Sequence, residues 1–305
     1  MIDDAAREEL EEAAGDAVRF DVPMSRFTSL GVGGPVDAMV TPETRNALAR
    51  VLRVCAVHRL PHAVIGRGFN SIVRDEGLAG VALRLSRFRG LGVRPGAFVR
   101  SESGVSHQQI TRFCQSLGLA GLEFGAGIPG TVGGWITMNA GIGHREMKDV
   151  VCELEVMTPT GRQIRHLGRQ LLRFSYRALR GLAPGSVILS ALFKVCISTR
   201  AEVKAEVDRL LAERASRQPL DLPSCGSVFK NPPGSFAGQL IEAAGLKGER
   251  IGGAQISTAH ANFIVNSGGA TASDVISLIA KARALVHCRT GIVLEPEVKV
   301  LGRGA

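Results

Sequence analysis

The stretch GAGIPGTVGG, residues 125–134, restricts the fold of this chain more than any other feature of its sequence. Glycine occupies seven of the nineteen positions from Gly125 to Gly143. Since a glycine in regular structure costs about 0.5–1 kcal/mol relative to alanine, this density indicates that the backbone closely approaches another segment or a ligand. The stretch also contains G-x-G-x-x-G, the spacing with which dinucleotide-binding folds bring backbone against a pyrophosphate.

That spacing alone does not predict a Rossmann fold, in which it follows an apolar strand and begins a helix. The preceding LGLAGLEF is interrupted by glycine, and the following TVGGWITMNAG has adjacent glycines and β-branched residues, which make a poor helix interior. The sequence therefore predicts a long irregular loop with a short β-like insert over residues 125–143. Exposed backbone N–H groups in such a loop still suit an anion.

Two further glycine-rich segments follow the same pattern, TSLGVGGPVD at 28–37 and GRGFNSIV at 66–73. The second follows HAVIG, a short apolar strand, so its glycines lie where a strand enters a loop. Several such loops that converge on one ligand fit an extended dinucleotide better than a mononucleotide.

Composition limits the class of protein. With 305 residues, 45% hydrophobic and 21% charged, the chain fits a globular protein of about two domains. Its apolar runs are too short to cross a membrane, and the acidic segment 1–20 lacks the features of a signal peptide, so we expect a cytoplasmic protein without membrane insertion. The net charge of +9 indicates polyanionic partners. Because only 5% of residues are aromatic and the basic residues are scattered, nucleotides are favoured over nucleic acid.

The six cysteines are widely separated and form no C-x-x-C pair. This spacing disfavours a disulfide framework or a zinc site and predicts reduced, mostly buried thiols. His58 and His62 are four residues apart, but Pro61 between them breaks the helix that would align them as metal ligands. We therefore expect no bound metal.

The periodicity of apolar residues predicts an α+β chain whose composition changes near residues 90 and 200. One helix is expected from the N-cap Thr41 with Pro42 in its first position, and another follows the capping box of Ser106 and Gln109. VVCELEVMTPTGRQIRHL predicts a hairpin, and SVILSALFKVCIS a long strand. After residue 200 the sequence predicts three helices (TRAEVKAEVDRLLAERASRQ, GSFAGQLIEAAGLKG and TASDVISLIAKARALVHCRTG) and two strands (ANFIVNSGG and IVLEPEVKVLG).

Eight separated segments together resemble the UDP-N-acetylenolpyruvoylglucosamine reductases, flavoenzymes of peptidoglycan precursor synthesis. The segments are TSLGVGGPVD, GRGFNSIVRDEG, AGIPGTVGGWITMNAG, SYR, CGSVFKNP, AGQLIEAAGLKG, HANFIVN and LEPEV. Their order and spacing match those of the family from about Arg26 to the C-terminus. The short run from SYR to VILSALFKV is similar to the subtype that lacks an extra tyrosine loop.

The resemblance implies a two-lobed FAD-binding domain of the vanillyl-alcohol-oxidase (PCMH) type, followed by an α+β substrate-binding domain. The expected boundaries are residues 1–90 for the first lobe, 91–200 for the second and 201–305 for the substrate domain. The helix-prone segment 1–20 lies outside the resemblance. The implied activity is NADPH-driven, FAD-dependent reduction of the enolpyruvyl group of UDP-N-acetylglucosamine enolpyruvate, which gives UDP-N-acetylmuramate.

The resemblance also implies roles for individual residues. Ser227 matches the proton donor, Arg177 the arginine that binds the substrate carboxylate, and Glu297 the acidic partner of the developing enolate. Substrate contacts are expected from four more residues, Tyr176, Arg217, Lys230 and Asn231. Reduction needs an acid and not a nucleophile, so Cys225 is interpreted as a packing residue. For His260, a structural role fits the sequence at least as well as a role in the site.

The cofactor residues are expected in two glycine-rich loops. They are Gly66, Arg67, Gly68, Phe69, Asn70, Ser71, Gly127, Ile128, Gly130, Thr131, Gly133, Gly134 and Asn139. Phe69 replaces the serine usual in the family and removes a hydroxyl donor. The first loop has no histidine, which predicts non-covalent FAD. IGHREMKD replaces the family's usual Tyr-Gly-Gly-Glu, so the contacts of that loop stay open.

Two other functions remain compatible with the sequence. One is a different flavin oxidoreductase of the same fold, against which CGSVFKNP and LEPEV argue, since those segments belong to the substrate domain. The other is a non-catalytic nucleotide-binding module, which the basic charge alone would fit. Apart from the UDP-sugar and NADPH, no obligatory protein partner is inferred.

Overall fold

The computed structural model describes residues 2–216, 218–219 and 221–303. The helices are α1 Asp4–Ala14, α2 Arg45–Val57, α3 His107–Leu117, α4 Val132–Thr137, α5 Arg200–Ala215, α6 Ala237–Ala243 and α7 Ala272–Thr290. The strands are β1 Val18–Pro23, β2 Pro35–Val40, β3 His62–Val64, β4 Ser71–Val73, β5 Leu78–Leu83, β6 Leu91–Arg94, β7 Phe98–Glu102, β8 Leu119–Ala120, β9 Gly141–Ile142, β10 Arg145–Glu146, β11 Val151–Met157, β12 Ile164–Gly168, β13 Arg173–Ser175, β14 Ala178–Arg180, β15 Val187–Lys194, β16 Cys196–Ile197, β17 Ser224–Ser227, β18 Arg250–Ile251, β19 Ala254–Ile256, β20 Phe263–Asn266 and β21 Lys299–Leu301. None of these helices combines the length and the apolar character needed to cross a membrane.

The chain divides into two compact units, each built from three stretches of sequence. The first comprises Met1–Phe20, Ala38–Gly66 and Gly80–Arg214. The second comprises Asp21–Asp37, Arg67–Ala79 and Ala215–Ala305.

The first unit contains an antiparallel sheet in the order β12-β11-β15-β7-β6. Its expected hairpin is confirmed, since β11 pairs with β12 across the turn that follows Met157. Buried side chains of this sheet and of α3 and α4, among them Trp135, Leu154 and Phe193, form one core. A second core contains Leu10 of α1, Leu48 and Leu52 of α2, and residues of the four-stranded sheet β1-β2-β5-β3.

Helix α3 begins and ends as its sequence predicts. The Ser106 hydroxyl accepts a hydrogen bond from Gln109 N, and the Gln109 side chain in turn accepts from Ser106 N, so the capping box is present. Gly118 ends the helix in the left-handed conformation, with φ of 64°. A left-handed C-cap is the position that glycine adopts without strain.

Helix α2 begins three residues later than predicted. Thr41 N donates to Ala17 O at 2.9 Å, so the chain is still paired as an extended strand at the expected N-cap. The N-cap is instead Thr44, which accepts from Ala47 N at 3.1 Å.

Two more expectations about local structure are wrong. The helix expected over residues 1–20 ends at Ala14, because Gly15 takes a φ of 55° and Val18 begins β1. Residues 132–137, expected to be irregular, form the short helix α4. Trp135 of α4 is only 2% exposed, so tertiary packing overrides the low helix propensity of its glycines.

The second unit contains the sheet β17-β20-β19-β18 and a parallel pair in which β21 lies beside β4. Its core joins Leu30 and Ile72 to residues of β20, α6 and α7. Helix α7 has a capping box formed by Thr271 and Asp274. Of the strand expected in IVLEPEVKVLG, only Lys299–Leu301 forms a named strand.

The cysteines are free thiols, of which Cys55, Cys114 and Cys225 are buried. Cys196 and Cys288 are exposed, so the expectation that the thiols are mostly buried is wrong for these two. In the part of the chain that the structure describes, no three His, Cys, Asp or Glu side chains come close enough to hold a metal ion.

Candidate active site

The two glycine-rich loops expected to hold the cofactor meet at Gly66 and Thr131 in the first unit. A Cβ atom placed on Gly66 would lie 3.1 Å from Thr131 Oγ1. Thr131 is the N-cap residue of α4, yet its hydroxyl makes no cap hydrogen bond. Among the described residues the hydroxyl thus caps no backbone N–H group of α4.

Packing fixes the loop before α4. Trp135 Nε1 donates to Ile128 O at 3.1 Å, and the Trp135 ring lies where a side chain on Gly125 would be, since a Cβ atom on Gly125 would come within 2.4 Å of Trp135 Cη2. Gly133 similarly lies against Ser103, because a Cβ atom on Gly133 would come within 2.9 Å of Ser103 Cβ. These glycines are needed because any side chain there would displace the tryptophan or the neighbouring strand end.

Gly130 is the exception in this loop. It is buried, with a φ of 124°, yet a Cβ on it would meet no atom within 4 Å among the described residues. Open space at a buried glycine, beside the Thr131 hydroxyl, is what a cradle for a pyrophosphate requires. The residues of this loop therefore fit the expected FAD.

Asn139 is buried, and its side chain is fully used by the protein. Its Oδ1 accepts from Lys148 N at 2.9 Å, and its Nδ2 donates to Glu146 Oε2 at 2.9 Å and to Ser175 O at 3.0 Å. These contacts anchor the loop that joins β13 to β14. The Asn139 side chain thus has a scaffolding task, and the cofactor contact expected of this residue stays a prediction.

Tyr176 and Arg177 form the two-residue turn between β13 and β14. Tyr176 is exposed, and the Arg177 guanidinium lies 5.2 Å from the centre of its ring. Arg177 has a φ of 57°, a left-handed conformation that strains a residue with a side chain, and its Nη1 donates to Gly141 O at 3.3 Å. A strained arginine held at a turn is typical of a binding residue.

Sequence reasoning missed Arg214, near the end of α5. A Cβ on Gly127 would lie 2.8 Å from Arg214 Cδ, so the helix end packs directly on the glycine-rich loop. Its Nε is buried and has no hydrogen-bond partner within the described parts of the chain. Burial lowers the pKa of Arg214 to about 10, which leaves it charged at neutral pH. Arg217, the residue named from sequence, lies outside the described residues.

In the second unit, the segment Arg67–Ser71 is held by short contacts. A side chain on Gly68 would meet Phe27 O at 2.3 Å, and Ser29 N donates to Gly68 O at 3.2 Å. The Arg67 guanidinium lies 5.9 Å from the centre of the Phe69 ring. Ser71 begins β4 opposite Lys299 of β21.

Ser227 ends β17 after a β-bulge. Ser224 and Ser227 pair with Val265 and Phe263 of β20, and the register shifts between these two serines. Gly226, which lies between them, has a φ of 77°. A bulge redirects the side chain that follows it.

The segment that carries Glu297 lies directly beside that of Ser227. Glu297 N donates to Val228 O at 2.8 Å, and Lys230 N donates to Glu295 O at 2.9 Å. Asn70 joins them, because its Nδ2 donates to Glu297 O at 3.2 Å. The second unit thus brings together the segments of Asn70, Ser227 and Glu297, which the sequence predicts to act in the site. Up to 227 positions separate these residues in the chain.

Lys230 and Asn231 have partners within the same unit. The Lys230 ammonium forms an ion pair with Glu295. Asn231 Oδ1 accepts from Ala237 N at 3.0 Å and so caps α6, since Phe236 supplies no side-chain cap.

Cys225 and His260 have the environments of structural residues. Burial raises the pKa of Cys225 to about 12, which keeps the thiol protonated and unreactive. Burial, the largest cause, also lowers the pKa of His260 below its ordinary value. His260 Nδ1 accepts from Asn262 N at 3.2 Å, so the neutral ring is the form that fits.

Comparisons with known proteins show which family the chain belongs to. An FAD binding domain model matches residues 35–166, and the model of the UDP-N-acetylenolpyruvoylglucosamine reductase C-terminal domain matches residues 218–301. The UDP-N-acetylenolpyruvoylglucosamine reductase of Geobacter metallireducens is 43% identical over 95% of this chain and 96% of its own length. That of Streptococcus thermophilus is 41% identical over 96% of this chain and 95% of its own length. The chain belongs to the UDP-N-acetylenolpyruvoylglucosamine reductase family.

Solved structures support the same assignment. The crystal structure of UDP-N-acetylenolpyruvylglucosamine reductase from Thermus caldophilus matches with a TM-score of 0.81 and 34% identity, over 93% of this chain and 99% of that one. Phl p 4.0202, a glucose dehydrogenase, matches with a TM-score of 0.50 and 14% identity, over 65% of this chain and 45% of its own, which indicates a shared fold alone.

These findings confirm the expected fold class, an FAD-binding domain followed by the C-terminal domain of the reductase family. They also confirm the expected class of enzyme: the protein is an FAD-dependent oxidoreductase. The roles of individual site residues stay predictions.

Proposed function

We propose that the protein reduces the enolpyruvyl group of UDP-N-acetylglucosamine enolpyruvate to a lactyl ether, giving UDP-N-acetylmuramate for peptidoglycan synthesis, with NADPH as electron donor and non-covalent FAD. The observation that carries this proposal is the pairing of the Ser227 and Glu297 segments through Glu297 N and Val228 O. This pairing supports a site in which a hydroxyl and a carboxyl act together. The reaction requires both, since one carbon must be protonated and the neighbouring carboxylate polarised.

The reduction adds a hydride to one alkene carbon and a proton to the other. The two electrons that NADPH provides thereby convert the double bond into a single bond. When bound, FAD supplies the hydride, which no side chain can provide. Ser227 Oγ gives its proton to the carbanion that develops beside the substrate carboxylate. A serine is a weak acid, but a strongly basic carbon accepts from it when nearby cations stabilise the alkoxide.

Charged side chains bind the anionic parts of the substrate. Arg177 takes the carboxylate, because its planar guanidinium suits bidentate contact. Glu297 stabilises the enolate form in this proposal by sharing a proton with it, since an ionised carboxylate would repel the enolate. Lys230 and Asn231 remain substrate contacts in this proposal, as does the exposed Tyr176. We add Arg214, which lies beside Gly127, since a charged guanidinium whose buried Nε has no partner among the described residues fits a phosphate.

The cofactor is proposed to lie on the two glycine-rich loops. Backbone N–H groups of Gly66–Ser71 and of Gly127–Gly134 are each proposed to contact FAD, and the Thr131 hydroxyl, which makes no cap hydrogen bond, is proposed as a side-chain donor. The division at residues 90 and 200, the cytoplasmic location and the absence of an obligatory protein partner stay predictions.

Separate measurement of the two half-reactions tests the proton donor. With Ser227→Ala, we expect NADPH to reduce the flavin at the normal rate, while reoxidation by the enolpyruvyl substrate slows at least about 100-fold, the contribution of a general acid. The measurement is flavin absorbance under anaerobic conditions, with each reactant added in turn.

Ser224→Ala is the matched control, since this serine lies in the same strand and is expected to leave both rates unchanged. Reoxidation of Ser227→Ala at the normal rate would show that another group donates the proton. Failure of the enolpyruvyl substrate to reoxidise the unmodified enzyme would overturn the proposed activity as a whole.

A further inference from the structure

The backbone of Phe229, two residues after Ser227, needs hydrogen-bond partners that the neighbouring strands do not supply. Phe229 is 2% exposed, so water cannot satisfy its N–H and C=O groups. A buried backbone group left without a hydrogen bond destabilises the folded state. The structure must therefore satisfy both from within the protein.

On one side, Phe229 lies opposite Pro296. The hydrogen bonds of this pair come from the flanking residues, Lys230 N to Glu295 O and Glu297 N to Val228 O. In this antiparallel pattern the N–H and C=O of Phe229 itself point away from Pro296. Partners for them must come from the β20 side.

On that side the strand ladder has already ended. Ser227 pairs with Phe263, and Val228 N still donates to Asn262 O at 2.9 Å. Asn262 N then donates to His260 Nδ1 at 3.2 Å instead of continuing the ladder. The backbone of β20 thus leaves Phe229 without a partner.

The Asn262 side chain fills this gap. Its Oδ1 accepts from Phe229 N at 2.9 Å, and its Nδ2 donates to Phe229 O at 2.8 Å. One amide side chain thus replaces a strand residue, because it offers an acceptor and a donor side by side. Asn262 is 4% exposed, so the contact is shielded from solvent.

We propose that Asn262 is the positioning residue of this active site, and that its amide fixes the Val228–Phe229 backbone so that the Ser227 hydroxyl keeps its reacting position. Asn262 touches neither substrate nor cofactor in this role and acts through Ser227. The inference rests on the proposed function, in which Ser227 gives the proton.

The proposal predicts a selective defect. With Asn262→Ala, flavin reduction by NADPH is expected at the normal rate, while reoxidation by the enolpyruvyl substrate slows about 10- to 100-fold, as displacements of about 1 Å do. The loss lies in kcat of reoxidation more than in KM. Anaerobic stopped-flow absorbance of the flavin measures both rates in the FAD-bound enzyme.

A double-mutant cycle separates positioning from general destabilisation. Once Ser227→Ala has removed the proton donor, adding Asn262→Ala should slow reoxidation no further, since the two changes act on one step. Equal effects of Asn262→Ala with and without Ser227 would overturn the proposal. If Ser227→Ala alone reoxidises normally, the proposed proton donor fails first, and the positioning role fails with it.

Asn266 offers a matched control on the same strand. Its side chain also bridges segments, with Nδ2 to Leu30 O at 3.0 Å and Oδ1 accepting from Gly268 N at 2.9 Å, away from Ser227. Asn266→Ala should lower the melting temperature and leave the ratio of the two half-reaction rates unchanged. A normal ratio in Asn262→Ala would refute the positioning role.

A second variant covers the case in which Asn262→Ala yields no FAD-bound protein. Asn262→Asp keeps the acceptor for Phe229 N but loses the donor to Phe229 O. We expect it to fold and to show the same selective slowing of reoxidation, by a smaller factor. Unchanged reoxidation in this variant would also overturn the proposal.

Discussion

At Asn139 and Arg177 the backbone has positive φ angles of 42° and 57°. Such conformations cost residues with side chains about 1–3 kcal/mol and persist only where surrounding contacts enforce them. Asn139 Nδ2 donates to Ser175 O and so holds the turn that carries Arg177. The sequence indicates that Arg177 binds substrate but not its conformation, because φ at one residue depends on contacts made 36 positions away.

Replacement of Asn139 tests this dependence. Asn139→Ala removes the partner of Lys148 N and Ser175 O in two part-buried contacts, and the loss of each hydrogen bond costs about 0.5–1.5 kcal/mol. We expect a lower melting temperature and a higher KM for the enolpyruvyl substrate, with unchanged affinity for FAD. Flavin fluorescence titration and steady-state kinetics measure these quantities.

Thr137→Ala serves as the control, because the Thr137 hydroxyl binds only Gly133 O in its own helix and is expected to affect neither KM nor FAD affinity. If Asn139→Ala instead loses FAD while its KM for substrate is unchanged, Asn139 contacts the cofactor as the sequence suggests.

At the scale of elements, local signals predict helix ends well only where they act alone. The capping box at Ser106 is present, with the Ser106 hydroxyl bonded to Gln109 within the same turn. Thr41 has an equally good capping sequence, but its N–H is held by Ala17. Helix α4 was missed because glycine propensity argues against it, while the burial of Trp135, a property of the folded unit, favours it.

Helix α7 shows a cap that sequence periodicity does not reveal. Asp75, which lies about 200 positions earlier in the chain, accepts hydrogen bonds from Ala272 N at 2.9 Å and Ser273 N at 2.8 Å. Desolvation raises the pKa of Asp75, but the hydrogen bonds from Ser273 and Ala272 outweigh it, so the pKa lies below its ordinary value. The folded state therefore favours the charged carboxylate.

This shift predicts a pH-dependent contribution to stability. Because the folded-state pKa is lowered, the contribution is complete above the unfolded-state pKa of about 3.9 and is lost as the pH falls through the folded-state value. We expect Asp75→Asn to lower the free energy of unfolding by about 0.5–2 kcal/mol at neutral pH, as for a lost helix cap, with a smaller difference below about pH 4. Urea unfolding at several pH values measures it.

Glu76→Gln is the control for Asp75, since Glu76 is also an exposed carboxylate of the same turn and is expected to leave the free energy of unfolding unchanged. A difference between Asp75→Asn and the unmodified protein that grows as the pH falls would contradict the sign of the shift.

At the scale of the whole molecule, the motifs identified the family, and the second compact unit combines segments that lie far apart in the sequence. The second unit takes residues 21–37 and 67–79 from the N-terminal part of the chain. Contacts such as Asn70 to Glu297 join segments that no local pattern relates. Sequence reasoning could name residues on both segments only because the resemblance names them.

Because the second unit includes segments from the N-terminal part of the chain, we expect that residues 201–305 do not fold alone. That fragment lacks Leu30, Val32 and Ile72, which are at most 2% exposed in the unit's core, and it lacks β4, the partner of β21. Burial of each such side chain contributes about 1.5–3 kcal/mol, against a total stability of about 5–15 kcal/mol for a domain. We expect the fragment to show no cooperative thermal transition by circular dichroism and no slow amide exchange in α7, whereas the full chain shows both. A cooperative transition in the fragment, with protected amides in α7, would establish residues 201–305 as an independent domain and would show that the three N-terminal core residues contribute less than their burial implies.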